Sequence, residues 1–441
     1  MNPCVSHPLL LLLLPSSFTS CTSAEKSQIL RDYAIIEINA FQWLALIAIY
    51  ALLLRKFFML FRLWYKGSKI PGLPCPFFDG HYKLFAQKNL TDLLSESHKK
   101  YGSIVKLWLG PAQLLVSIKD PVLIQEMLVK AKDKLPFMGK AFRMAFGPSS
   151  LFASSSEKVR KRREVLMTEL NERKNRSLFH HIDQNVYSEI SHIKTKTADD
   201  AQCCSDADSR DYVFFHKLNV HQIATEEPSS NIMRVMFHGC QQTAALIANL
   251  LTMLVMHPEV QEKVYSEITM VMKHPSKYKE QDIYRMPLLL ATVFESARLM
   301  PTGPLLQRCS LKHDLSFENG VTIPAGAVLA VPVHLVQMDD SSWGRNASDF
   351  NPYRFLSDVQ KESDVVIDVS FKDCGEEHTN PGFNSFMLKD PNENAAFLSF
   401  GSGTRACVGQ KFVIQVVASF FASLLKKYEV ALHRNIEYLL V

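Results

Sequence analysis

The chain has 441 residues, 47% of them hydrophobic and 21% charged, which is enough apolar surface for a large core and excludes disordered, collagen-like and small disulfide-scaffold classes. A formal net charge of +5, from 49 basic and 44 acidic side chains, lacks the strongly basic stripe of nucleic-acid binders, so no nucleic-acid partner is expected. Nine cysteines with no CxxC pair disfavour a zinc ribbon and a secreted disulfide framework, and place the body of the chain in a reducing compartment.

Residues 1–34 read as a signal-like or extended N-terminus: Leu9 to Leu14, followed by serines, threonines and Ala24, resembles a signal-peptide core, with no basic stretch ahead of it. Ala40 to Leu54 is apolar apart from Gln42, and Phe57 to Trp64 continues the run, with Arg55, Lys56 and Arg62 able to snorkel to headgroups. A bilayer span needs about 20 such residues, and the uninterrupted run is shorter, which leaves a buried helix of a globular domain as the alternative. Arg55, Lys56, Arg62, Lys66 and Lys69 crowd the C-terminal flank, whereas Lys26 and Arg31 are mixed with Glu25, Asp32 and Glu37 on the other. That asymmetry predicts a transmembrane anchor over residues 35–66 and a cytosolic body. Ile70 to Pro76 carries three prolines, a stiff non-helical elbow within a hinge over residues 67–76. Residues 77–441 read as one large domain, since no Gly/Ser or Pro-rich linker divides them.

Within that domain the pattern is helix-rich with small sheets, mainly α with a minor β component. Thr91 to Lys100 is amphipathic and helical. Ile104 to Leu109 and Leu114 to Ile118, separated by Gly110-Pro111, form a hairpin. Asp120 starts a helix with Pro121 in its first turn. Ser156 to Glu169 is a basic helix carrying Lys158, Arg160, Lys161, Arg162 and Arg163, and such a run is usually a solvated face. Ile232 to Met256 is a long apolar segment broken by Gly239, Gln241, Gln242 and Thr243, and polar groups inside a buried helix are satisfied or functional. A helix over Leu288 to Leu299 puts Glu295 and Arg298 on one face. Val321 to Pro324 and Val328 to Val333 are candidate strands, Asp358 to Glu377 is an acidic surface excursion, and Phe412 to Leu425 is an apolar helix.

The most informative stretch is Phe400-Gly401-Ser402-Gly403-Thr404-Arg405-Ala406-Cys407-Val408-Gly409. A lone cysteine in a Gly-rich loop before an apolar helix suits a thiolate on a metal, because glycines let the backbone approach closely and the helix start favours the anion. The stretch resembles the haem-thiolate signature of the cytochrome P450 superfamily, F-x-x-G-x-R-x-C-x-G, at every fixed position. The resemblance, of the microsomal membrane-anchored type, implies the cytochrome P450 fold, haem b and Cys407 as its axial iron ligand. Arg405 would bind a propionate, Phe400 would pack beside the sulfur, and Gly403 and Gly409 would shape the loop. Glu295-Ser296-Ala297-Arg298 is similar to the family's E-x-x-R, and Phe350 to Phe355 resembles its PxRF element, so Arg354 would close a Glu295–Arg298–Arg354 triad. Arg308 and Arg163 fall where relatives place further propionate ligands.

The chain also departs from the family. The distal-helix positions for an acid and two threonines, where the family's catalytic proton relay sits, hold Gln241, Gln242 and Thr243, after His238, Gly239 and Cys240; an amide does not relay a proton as an acid does. Val159 stands where a tryptophan is usual. Between Arg163 and Gly239 relatives use about twice as many residues, and the terminal hairpin after Tyr428 is expected to be incomplete, as in a splice variant or an imperfect gene model. The resemblance implies a monooxygenase acting on a lipophilic small molecule with dioxygen and electrons from NADPH-cytochrome P450 reductase, single-pass in the endoplasmic reticulum membrane. The alternatives are a redox-independent haem-thiolate isomerase or dehydratase, and a degenerate haem-binding relative without catalysis.

Overall fold

The computed structural model describes residues 23–75, 80, 81, 84, 87–131, 160, 161, 163–168, 228–272, 280–309, 313–358 and 386–432. The chain divides into two compact units, Met1–Tyr65 and Lys66–Val441.

The first unit is dominated by α1, Ser23–Ser68, a helix of 46 residues whose last three belong to the second unit. Within it, Ile35–Ser68 has a mean hydropathy of 2.1 over its most apolar window, none of which is buried. Phe41, Trp43, Leu46 and Phe61 stand exposed along it. The helix runs unbroken through Arg55 and Lys56, so the apolar runs on either side of them share one helix longer than the about 20 residues a span requires. That makes Ile35–Ser68 a candidate membrane span.

The second unit opens with α2, Leu90–Tyr101, followed by β1, Ile104–Trp108, and β2, Leu114–Ile118. These strands pair antiparallel in the expected hairpin, with Ile104 opposite Ile118. α3, Pro121–Lys130, starts as the sequence predicts: the Asp120 carboxylate accepts the Val122 and Leu123 N–H groups, and Pro121 occupies the first turn. The elbow ahead of α2 is stitched to β1. Pro71 C=O accepts the Lys106 N–H at 2.8 Å, and Lys106 Nζ donates to the carbonyls of Gly67 at 3.1 Å and Ser68 at 2.9 Å. A Cβ on Gly72 would come within 2.5 Å of the Lys106 carbonyl oxygen, so only glycine allows the backbones to approach this closely.

Among the described residues four helices build the main core: α4, Pro228–Met256; α5, Pro258–Val271; α6, Pro287–Leu299; and α9, Gln410–Leu425, which follows the cysteine loop. Leu246, Leu250 and Leu254 on α4 recur every fourth residue and are buried with Val264 and Ile268 of α5, Leu289 and Val293 of α6, and Val417 and Phe421 of α9. His238–Met256 also meets the length and apolarity expected of a span, but these leucines assign it to the core. α6 is the centre of the unit, buried from Leu288 to Leu299 on every face. Its first turn is capped from α5 by Glu267, which accepts the N–H groups of Leu288 and Leu289, both at 2.9 Å.

A four-stranded sheet lies in the order β1-β2-β6-β3. β3 is Leu305–Cys309 and β6 is Val328–Pro332; β6 runs parallel to β2 and antiparallel to β3, with Arg308 opposite Leu329. β4, Leu315–Ser316, and β5, Thr322–Ile323, form a small hairpin, so the strand expected from Val321 to Pro324 is two residues long. The strand expected to reach Val333 stops at Pro332, and Val333 begins α7, Val333–Gln337. α8, Asp340–Trp343, then leads to β7, Leu356–Asp358, paired with β8, Phe386–Leu388. The expected excursion from Asp358 to Glu377 lies outside the described residues beyond its first position, as do Lys158, Val159 and Arg162 of the basic stretch.

Candidate active site

Between Phe397 and α9 the chain folds into a tight loop. Gly401 and Gly403 both sit at a φ of 69°, a left-handed conformation that an L side chain resists. Gly401 N–H donates to Leu398 C=O at 2.9 Å, Ala406 N–H to Gly403 C=O at 3.0 Å, and Cys407 N–H to Phe400 C=O at 2.8 Å. Residues 403–405 form one 3-10 turn, and a Cβ on Gly403 would meet Leu128 of α3 at 3.6 Å. The Phe400 ring leans on Phe397, 6.3 Å between centroids.

Cys407 is a free, solvent-exposed residue. The protein packed around its sulfur nonetheless pushes the thiol pKa up, against the pull of the Gly409 N–H and the Arg163 charge. A divalent or trivalent metal at the sulfur would invert that balance, since coordination deprotonates a thiol outright.

Three arginines converge beside this loop. Arg163, in the short described piece of the basic helix, donates from Nη2 to the Ala406 carbonyl. Arg405 is buried in the 3-10 turn. Arg308 on β3 is buried, with Nη1 donating to Gln307 C=O at 2.8 Å. Burial, then the like charges of Arg405 and Arg163, push Arg308 down to about 10 against the pull of Cys309, and among the described residues no carboxylate acts on it. A buried guanidinium pressed by two others is a poor arrangement for an empty core and a good one for an anion. The donor set of one cysteine sulfur and three arginines therefore fits a haem, with its iron and two propionates.

Beneath the loop lies a carboxylate clamp. Glu295 and Arg298 are fully buried. Arg298 Nε donates to Glu295 Oε2 at 2.7 Å and Nη2 to Oε1 at 2.8 Å, a bidentate pair. Oε1 also accepts Arg354 Nε and the Asn351 N–H, both at 2.9 Å. The guanidiniums reach onward to the backbone: Arg298 to Gln337 C=O at 2.5 Å and Ala347 C=O at 2.7 Å, Arg354 to Trp343 C=O at 3.1 Å and Asn346 C=O at 2.8 Å. Arg298 also lies 4.9 Å from the Trp343 ring centroid. The three residues expected to form a triad are in one hydrogen-bonded group.

Gln241, Gln242 and Thr243 lie on α4, which continues through them without a break. Gln241, Gln242, Gly239 and Cys240 are exposed, whereas Thr243 and His238 are half-buried. Thr243 thus points elsewhere than Gln242, as a rotation of about 100° per residue requires. Among the described residues no hydrogen bond ties these three to the cysteine loop.

Comparison with known proteins identifies the family. The model described as Cytochrome P450 matches residues 70–220 and 206–437. Among curated relatives, the chain is 28% identical over 198 residues to "Cytochrome P450 78A9" of Arabidopsis thaliana, covering 45% of this chain and 32% of that protein. It is 27% identical over 206 residues to "11-oxo-beta-amyrin 30-oxidase" of Glycyrrhiza uralensis, covering 47% and 34%. To "3-hydroxyindolin-2-one monooxygenase" of Zea mays it is 28% identical over 206 residues, covering 46% and 34%. The matches thus span about a third of the relatives' length.

Proposed function

Since the chain belongs to the cytochrome P450 family, we propose that it is a membrane-anchored haem-thiolate monooxygenase that oxidises a lipophilic small molecule, taking electrons from an NADPH-dependent reductase. The observation that carries this reading is the placement of Cys407 in a glycine-shaped loop beside Arg163, Arg308 and Arg405. The haem, when bound, supplies activation of dioxygen. Cys407 would hold the haem through its sulfur, its charge supported by the Gly409 N–H; the three guanidiniums would hold the propionates, and the buried Glu295 group would brace the interior beside the loop. Residues 35–66 anchor the protein in the endoplasmic reticulum membrane, residues 67–76 form the hinge and residues 77–441 the cytosolic catalytic body. The exposed apolar α1 and the basic residues at its C-terminal side support that arrangement.

Gln241 and Gln242 favour a second reading, a redox-independent isomerase or dehydratase, because two amides replace the groups that deliver protons. Thr243 and His238 are neighbouring hydroxyl-bearing and titratable residues on the same helix.

The deciding experiment is the ferrous carbon monoxide difference spectrum of the expressed chain. The wild type and Cys240→Ser and Cys309→Ala variants are expected to give the red-shifted thiolate band, and Cys407→Ser to lose it. Persistence of the band in Cys407→Ser overturns the assignment. Product formation that depends on NADPH and reductase then supports the monooxygenase; conversion of an organic hydroperoxide without reductase supports the second reading.

A further inference from the structure

We propose that Gln337 is a positioning residue that ties the Glu295–Arg298 clamp to the loop bearing Cys407, and thereby sets how firmly the sulfur is held for ligation. The proposal rests on the reading of Cys407 as the haem ligand.

Gln337 ends the short helix α7 and is fully buried. Its Oε1 accepts the Leu398 N–H at 2.7 Å and lies 2.9 Å from the Ser399 hydroxyl. Its Nε2 donates to the Arg298 carbonyl at 2.8 Å. The amide has one possible orientation, because a backbone N–H only donates and a carbonyl only accepts; a flipped side chain would set donor against donor and acceptor against acceptor. The Arg298 guanidinium returns the contact, donating from Nη1 to Gln337 C=O at 2.5 Å. The Ser399 hydroxyl is shared with the Ala297 carbonyl at 2.8 Å. One side chain thus joins the clamp helix to two consecutive loop residues.

From Leu398 and Ser399 the bonding continues to the cysteine. Leu398 C=O accepts the Gly401 N–H, and the carbonyl of Phe400, directly after Ser399, accepts the Cys407 N–H. Loop segments held mainly by their own turns open readily. Gln337 supplies a bond from the buried interior of the unit to the start of this one, beside that of the Ser399 hydroxyl to the Ala297 carbonyl. A residue present only to fill space at position 337 would be replaced by leucine at little cost to the loop. A residue present to hold the loop would not, since leucine leaves the Leu398 N–H and the Arg298 carbonyl buried without partners.

The test uses the full-length chain with Gln337→Leu and Gln337→Glu, read by amide hydrogen exchange over residues 398–407 and by the ferrous carbon monoxide spectrum. In Gln337→Leu, exchange at Leu398 should accelerate on the order of tenfold, and the larger part of the thiolate band should move to the shorter wavelength of a non-thiolate complex. Gln337→Glu keeps the acceptor contacts to Leu398 and Ser399 and loses the donor to the Arg298 carbonyl, so exchange at Leu398 should fall between the leucine variant and the wild type. Wild-type exchange and an unshifted band in Gln337→Leu overturn the proposal, as does a glutamate variant no better than leucine. Should Gln337→Leu not fold, Gln337→Glu decides alone: slow exchange at Leu398 supports the tie, and exchange accelerated as far as at the Gly403–Arg405 turn overturns it. A wild-type chain without a thiolate band refutes the ligand assignment instead, while exchange at Leu398 still reports whether Gln337 holds the loop.

Discussion

Glu295 and Arg354 meet at 2.9 Å across 59 positions of sequence, and the oxygen they share also accepts Arg298 Nη2 at 2.8 Å. Burying one carboxylate between two guanidiniums is tolerable only while all three remain, because removing one partner strands charge in the interior. Glu295→Gln should therefore cost about 3–5 kcal/mol, and Arg298→Lys, which loses the bidentate geometry, a similar amount. Arg354 retains 11% exposure, so Arg354→Lys should cost clearly less. Urea unfolding followed by far-ultraviolet circular dichroism gives the order; an Arg354→Lys cost equal to that of Arg298→Lys would contradict it.

Arg308 is held against the charges of Arg405 and Arg163, so its replacement should act with opposite signs on the two forms of the protein. Arg308→Gln is expected to raise the melting temperature of the haem-free chain by removing repulsion. It should also speed haem loss to a scavenging apoprotein, by about tenfold or more, since a charge-assisted hydrogen bond contributes about 1.5–3 kcal/mol. Changes of the same sign in both measurements would show that the cluster has no preference for an anion.

His98 gives the fold an acid limit. Nδ1 lies 2.8 Å from Gly102 C=O, which can only accept, so Nδ1 carries the proton and Nε2 accepts the Ser117 hydroxyl at 2.7 Å. Burial lowers the His98 pKa, with the Gly102 carbonyl opposing and Lys119 assisting. A depressed folded pKa means that the group contributes stability above its unfolded value of about 6.5 and loses it as pH falls below that. Glu267 acts in the opposite sense: burial pushes it up to about 7 despite two N–H donors, so its contribution declines as pH rises from about 4.5 to about 7. His98→Gln should therefore lower the urea midpoint near pH 7.5 and flatten its decline below about pH 6.5. Glu267→Gln should flatten the opposing slope, and unchanged slopes in both would refute these assignments.

The point at which the anchor is removed should matter. A chain beginning at Ile70 lacks Lys66, the ion-pair partner of Asp314, and the Gly67 and Ser68 carbonyls that accept Lys106 Nζ. A chain beginning at Lys66 keeps all of them. Both should move from the membrane pellet toward the soluble fraction, with the longer one more stable by about 1–2 kcal/mol. Carbonate-resistant membrane association of either chain would reveal another membrane-inserted segment.

Contacts between near neighbours were legible from residue order. Asp120 caps a helix whose first N–H groups are two and three residues away, Gly110-Pro111 turns a hairpin between adjacent strands, and Glu295 reaches Arg298 within one helical turn; local geometry decides each. The motif around Cys407 was legible for the same reason, since its glycines and its cysteine lie in one loop. Other features required the folded chain. β3 is defined by pairing with β6 beyond an intervening hairpin, and its residues Leu305-Leu306-Gln307-Arg308-Cys309 show no clean alternation. Gln337 finds Leu398 through a contact 61 residues apart, whereas the Glu295–Arg354 contact, 59 residues apart, was legible only through the resemblance of Phe350 to Phe355 to a family element. A polar side chain at such a distance leaves no periodic trace in the sequence, because its partner is chosen by which surfaces come together when apolar area is buried. Residue order determined the cysteine loop and the long apolar helix ahead of the body; tertiary packing decided that Gln337 joins that loop to the buried clamp.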